Sequence, residues 1–258
     1  MADLRNYQAR ATPGVRADAA IDEGLRAYMI RVYNLMALGL AITGLAAFGT
    51  VMLATTNDPS TAVATLSNGK MLTGLGAAIY GSPLRWVVML APLGLVFFLS
   101  FRVHRMSVSA AQTTFWAYAA LVGVSLSSVF LVFTPASIVQ TFFITAASFG
   151  ALSLWGYTTK RDLSGMGSFL FMGLIGIIIA SIVNIFLGSS ALQFAISVIG
   201  VLVFAGLTAY DTQQIKEMYY EGDDATVSGR KAIMGALRLY LDFINLFMFL
   251  LQFLGNRE

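Results

Sequence analysis

LYLDFINLFMFLLQF, residues Leu239–Phe253, decides how this chain is read. It is a continuous apolar run, too long and unbroken for the apolar-out, polar-in alternation of a membrane barrel strand. Three polar groups interrupt it: Asp242, Asn245 and Gln252. At 3.6 residues per turn, Gly235, Arg238, Asp242, Asn245 and Gln252 fall near one helix face. Such a stripe belongs inside a helix bundle, away from lipid. An ionisable group deep in a bilayer costs about 2.5–3.5 kcal/mol on insertion scales, so Asp242 must be paired, line water or do work. Two readings of the stripe stand. Arg238 and Asp242 form a local i, i+4 pair that serves packing, or the polar face is functional.

The rest of the chain fits a membrane setting. Its 258 residues are 57% hydrophobic and 11% charged, with a mean hydropathy of +0.75. Soluble domains carry roughly 25% charged residues. That shortfall excludes a soluble globular protein, a disordered chain and a nucleic-acid binder. The net charge is only +3, and the basic residues are scattered. There is no cysteine, so no disulfide, thiolate nucleophile or zinc–thiolate site exists. The single histidine is His104. No Walker loop, HExxH or GxSxG is present. No cofactor is expected, and the twelve methionines read as gap-filling.

Outward from the opening stretch, seven segments are long enough to span a bilayer: Val32–Ala54, Trp86–Phe101, Ala111–Phe133, Ile138–Tyr157, Ser168–Leu187, Ala191–Tyr210 and Ala232–Leu254. The sixth is expected to continue as helix past Asp211. This predicts an all-α polytopic bundle: an N-terminal arm over 1–31, a membrane domain over 32–254 and a tail over 255–258. The arm reads as a solvated tail ending in an interfacial helix near Ala19–Arg31, and lacks the features of a cleaved signal peptide. Lys and Arg number twelve on the side of the arm and the even-numbered loops. Lys70, Arg85 and Arg257 lie on the other side, and Arg238 is within a span. The bias places the N-terminus in the cytoplasm and, after seven spans, the C-terminus in the periplasm of an inner-membrane protein. Turns at Thr134–Ser137 and Gly188–Ser190 pair spans three with four and five with six. Thr55–Arg85 is the one sizeable external loop. The oligomeric state is open and compatible with a monomer.

Asp211 lies in GLTAYDTQQIK (Gly206–Lys216), on a face with Ser197, Gly200, Thr208 and Gln214. Alone it reads as an interfacial carboxylate. Spans six and seven are consecutive, however, so its face can meet that of Asp242. Two carboxylates in a low-dielectric site cannot both ionise easily and share a proton. Arg105, in FRVHRMS (Phe101–Ser107), is either a positive-inside anchor beside Arg102 or a cation that snorkels inward to an aspartate. His104 reads as a polar end-cap. Asn184 either faces the interior or bonds a neighbour.

AYDTQQIK, LYLDFINLF, TKRDLS (Thr159–Ser164) and VNIFLGSS together resemble the Bax inhibitor-1 (transmembrane Bax-inhibitor motif) family. The likeness covers about Arg102 to Phe253. It implies seven helices with the last one surrounded by the others, and a pH-sensitive calcium leak. The family's paired aspartates fall on Asp211 and Asp242, which would bind Ca²⁺ transiently. Its latch arginine falls on Arg105, with Arg102 one turn away. A second function class is a regulatory subunit that offers its arm to a membrane-bound AAA+ protease. A third, an intramembrane aspartyl hydrolase, is disfavoured by the flanking residues. The chain is expected not to be an enzyme.

Overall fold

The computed structural model describes residues 13–257, with side chains from residue 23. Seven helices among the described residues are long and apolar enough to cross a membrane. They are α1 (Pro13–Ala54), α2 (Leu84–Arg102), α3 (Val108–Leu126), α4 (Pro135–Thr158), α5 (Ser164–Leu187), α6 (Ser190–Glu217) and α7 (Ala225–Leu254). Their ends carry local stop and start signals. Ser107, Thr134 and Ser189 each accept a backbone N–H of the turn they cap, and Pro135 opens α4. Gly188 closes α5 in the left-handed conformation, φ +59°.

The structure adds detail at three places. Where it is described, the arm is helical and continuous with the first span: α1 runs unbroken from Pro13 through residue 31. Residues 1–12 of the arm and Glu258 of the tail lie outside the described residues. The third span breaks at Ser127–Ser128 and resumes as one turn, Val129–Val132, because the Ser127 hydroxyl bonds the Val124 carbonyl. The external loop is ordered by three two-residue strands, β1 (Thr55–Thr56), β2 (Ala64–Thr65) and β3 (Met71–Leu72). They pair antiparallel in the order β1-β3-β2. Strands this short leave no periodicity to read.

The last helix is central. It packs on α6, α1, α4 and α3, whereas α2 leans mainly on α3, and α5 on α6. Tyr240 on α7 is wholly buried. Its hydroxyl bonds Thr43 Oγ1 of α1 at 2.6 Å, and its ring meets Phe115 and Tyr118 edge-on at 5.7 Å. Phe243 continues the seam against Phe149 and Phe142 of α4. The outer surface is inverted relative to a soluble protein, with Phe186, Phe101 and Ile185 more than three-quarters exposed. Apolar burial gives little drive between helices that already sit in lipid, so close backbone approach must supply it. Gly123 lets α3 meet the backbone of α1 at Thr43, and Gly156 lets α4 meet the Ala209 carbonyl of α6.

The α7 core also borders an apolar cleft of about 860 Å³ between α1 and α4, floored by Phe243 and Phe247. A smaller cavity of about 560 Å³ follows it past Tyr33 and Ser153 toward Arg26. Gly44 faces the larger cleft and has open space beyond its Cα. Gly156→Ala should therefore lower thermal stability in detergent by about 1–3 kcal/mol through overpacking. Gly44→Ala should be neutral or raise it by up to about 1 kcal/mol through helix propensity. Equal effects at the two sites would contradict this packing.

Candidate functional site: an aspartate pair between α6 and α7

α6 stays helical through GLTAYDTQQIK because its polar side chains find partners within the bundle. Thr208 and Thr212 donate to the carbonyls one turn back, Phe204 and Thr208, at 2.8 and 2.7 Å. Gln213 Nε2 donates to the Arg161 carbonyl, and its Oε1 accepts the Leu163 N–H, both at 2.8 Å. Lys216 Nζ donates to the Tyr157 carbonyl at 2.9 Å and lies 5.2 Å from that ring. These bonds fix α6 to the end of α4 and the turn before α5. Asp211 is left for α7.

Asp242 is 4% exposed. Its carboxyl and that of Asp211 lie within hydrogen-bonding reach of each other. Among the described residues Asp242 Oδ2 is buried without a hydrogen-bond donor. A carboxylate only accepts, so a bond between two carboxyls requires one of them to carry a proton. Arg238, one turn before Asp242, is the cation whose charge reaches both groups. It is exposed and, among the described residues, forms no ion pair within 4.0 Å with either. The local i, i+4 pairing of Arg238 with Asp242 is thus not formed, and the aspartate's contact lies across the helix interface.

The loop between the helices shrinks to residues 218–224. Asp223 pairs with Lys231 at 2.5 Å. Asp224 caps α7, accepting the Thr226 and Val227 N–H groups at 2.7 and 2.8 Å. Asp223 and Asp224 are therefore engaged by the start of α7. Tyr28 of α1 packs its ring 5.7 Å from Tyr219 beside this loop, with a buried hydroxyl that has no partner.

Arg105 is not at the pair. It ends the tight turn Val103–Arg105 after α2 and is exposed. That turn is pinned by Arg230, whose Nε and Nη1 donate to the Met106 and His104 carbonyls at 2.8 Å. Arg102 lies 5.9 Å from the Phe98 ring on the outer face. The nearby cation is Arg238 because helix continuity places it one turn from Asp242, whereas α2 leans mainly on α3. Arg230 was legible only as a basic residue; nothing in its spacing marks a tie to another loop.

Further along α7, Asn245 Nδ2 donates to its own helix at the Leu241 carbonyl, 2.8 Å. Phe249 then fills the same face, against Gly200 and stacked on Phe204 at 5.7 Å. Beyond it Gln252 Oε1 accepts from Gln193 Nε2 at 2.7 Å and from Ser197 Oγ at 3.3 Å. Gln193 Oε1 in turn accepts from Asn184 Nδ2 at 3.1 Å. Asn184 therefore faces this network; Gln193 is the member that sequence alone did not single out, since one glutamine near a helix start carries no pattern. The C-terminal segment is bound at this end by Thr134 N–H to the Asn256 carbonyl and Asn256 N–H to Ser137 Oγ. The polar face of α7 thus has two polar ends, about 15 Å apart at 1.5 Å per residue, and an aromatic layer between them. Neither aspartate lines the α1–α4 clefts. Among the described residues no three His, Asp or Glu side chains gather as a metal site.

The two N–H groups hold the Asp224 carboxyl below the usual aspartate range. A depressed value means its contribution to stability is complete at neutral pH and is lost as pH falls through that value, below about 4. Asp224→Asn should keep the cap and remove this acid step, while Asp224→Ala should lose both, read by melting curves between pH 3 and 7. A pH dependence identical in all three proteins would contradict the capping role.

A family profile described as "Inhibitor of apoptosis-promoting Bax1" matches residues 25–258. An uncharacterized protein of Rickettsia prowazekii is 50% identical, covering 92% of each chain. One from Caulobacter vibrioides is 48% identical over the full length of both. The inner membrane protein YbhL of Escherichia coli K12 is 45% identical, covering 94% of this chain and 98% of its own. This chain, a multi-pass membrane protein, belongs to the Bax inhibitor-1 family.

Proposed function

We propose that the protein is a pH-sensitive cation leak of the inner membrane, with Ca²⁺ as the permeant ion and the Asp211–Asp242 pair as its proton-operated element. The observation that carries this reading is the contact of the two carboxyls across α6 and α7, one of them 4% exposed. With one proton between them the pair carries a single negative charge. Loss of that proton leaves two negative charges side by side. Like charges 4 Å apart repel by ~4 kcal/mol at an effective dielectric of 20. Two outcomes relieve this repulsion: a cation enters, or the helices part. Carboxylate oxygens suit Ca²⁺, but two aspartates supply far fewer than its usual 6–8 ligands. Water and carbonyls would complete the shell, so occupancy is brief, as transit requires.

Arg238 competes with the ion for the same carboxylates and takes the role expected of Arg105. The layer formed by Phe249, Phe204 and Gly200 separates the pair from the Gln193–Gln252 network and is the barrier an ion must pass. The basic loops give the orientation: the aspartates toward the cytoplasm, the C-terminus toward the periplasm.

Calcium flux into proteoliposomes tests this reading. Wild-type flux should rise between pH 6 and 8. Asp242→Asn should flatten the profile, and Phe249→Ala should raise flux severalfold at every pH while keeping the profile's shape. An unchanged profile in Asp242→Asn would remove the proton-operated element. The protease-regulator reading places its handle in the arm. Gly24 already abuts Tyr219, so the informative deletion is residues 1–12, short of that contact. A leak should survive it.

A further inference from the structure

We infer that the end of the molecule opposite the aspartates holds an anion site for the phosphate of a membrane-lipid headgroup, with Arg85 and Arg257 as its cations. A cavity of about 510 Å³ lies there, between the strand-bearing loop, the start of α2 and the break after α3. Both arginines line it, together with Asn68, Ser125 and Ser128, and among the described residues no Asp or Glu does. Among the described residues neither arginine has an ion pair within 4.0 Å.

The two cations come from distant parts of the chain and are held in place. Arg85 lies over the Trp86 ring, 5.1 Å from its centre. Arg257 lies 5.7 Å from the Phe133 ring, on the segment bound by Asn256. The surrounding wall is fixed as well. Asn68 Nδ2 donates to the Leu131 carbonyl at 2.8 Å, and the Tyr80 and Ser127 hydroxyls bond at 2.7 Å.

Two guanidinium groups on one cavity make it favourable to an anion, and their planar forks match phosphate oxygens. The cavity's other wall selects the source of that phosphate. Val88, Met89 and Val132 line it, and the adjoining outer face of α2 exposes Val87, Leu90 and Phe97. Trp86, half exposed beside Arg85, fits the interface between headgroups and acyl chains. A cationic mouth above an apolar flank suits a molecule with a phosphate at one end and hydrocarbon at the other. Inorganic phosphate shares the charge but not the flank.

The test uses the full chain in detergent with Trp116 and Trp155 replaced by Phe, so that Trp86 reports on the cavity. Dihexanoyl phosphatidylglycerol, dihexanoyl phosphatidylcholine and inorganic phosphate are titrated separately. Saturable change with phosphatidylglycerol at lower concentration than with phosphate supports the lipid source. Equal response to phosphate and phosphatidylglycerol would overturn it in favour of a free-anion site. Equal response to phosphatidylcholine would overturn the charge requirement. Arg85→Gln with Arg257→Gln should weaken phosphatidylglycerol about tenfold or more, the loss of charge-assisted hydrogen bonds. Arg85→Lys with Arg257→Lys keeps the charge without the fork, so it should recover part of the binding lost in the Gln pair, and it serves as the folding control. Unaltered binding in the Gln pair would refute the assignment.

Discussion

The meeting of two carboxyl groups, Asp211 and Asp242, where α6 packs on α7 is the constraint on which the proposed leak rests. Asp242 is buried in the most buried helix of the bundle. Its partner arrives on the next helix in sequence, joined by a loop of seven residues, 218–224. For the pair to exist, α7 must be central, α6 must remain helical through its polar end, and the acidic loop must fold away. Each condition has its own physical support. Gly123 and Gly156 bring neighbouring backbones close, Thr208 and Thr212 satisfy their hydroxyls within α6, and Asp224 caps α7.

Arranged along α7, the polar groups form a sequence with a mechanical sense. The aspartates and Arg238 occupy the end beside the basic loops. Phe249 and Phe204 form an aromatic layer over Gly200. Gln252, Gln193, Asn184 and Ser197 close the far end as a connected set of amides and a hydroxyl. Networks of this kind hold helices in register with modest energy per bond, about 0.6 kcal/mol in measured membrane cases. The charged end, in contrast, changes its interaction energy by several kcal/mol when one proton leaves. In the proposed leak the charged end would be the trigger and the amide network the closure.

Much of this was legible in residues 206–216 and 239–253. Long apolar runs fix the number of helices, and helical spacing puts Asp242 on an inward face, because lipid cannot solvate it. Consecutive helices sharing one end allow the faces of Asp211 and Asp242 to meet, but spacing alone does not decide that they do. Other features were hidden for identifiable reasons. The strands between residues 55 and 72 are too short to show alternation. The break at Ser127–Ser128 depends on a hydroxyl bonding a carbonyl, which serines in unbroken helices also do. Arg105 was assigned to the pair by resemblance, yet the turn it ends is tied to the rim by Arg230. Arg238 was dismissible as a local partner of Asp242, since spacing alone does not say which way a long side chain leans. The meeting of Arg85 with Arg257 has no sequence signal, because nothing local connects the start of α2 to the chain's end.

The shared proton is most directly seen by pH-difference infrared spectroscopy of the reconstituted protein with isotope-labelled aspartate. The expected result is an aspartic-acid C=O band that changes between pH 6 and 8 and is absent from Asp242→Asn. A band unaffected by that substitution, or no protonated aspartate across the range, would contradict it.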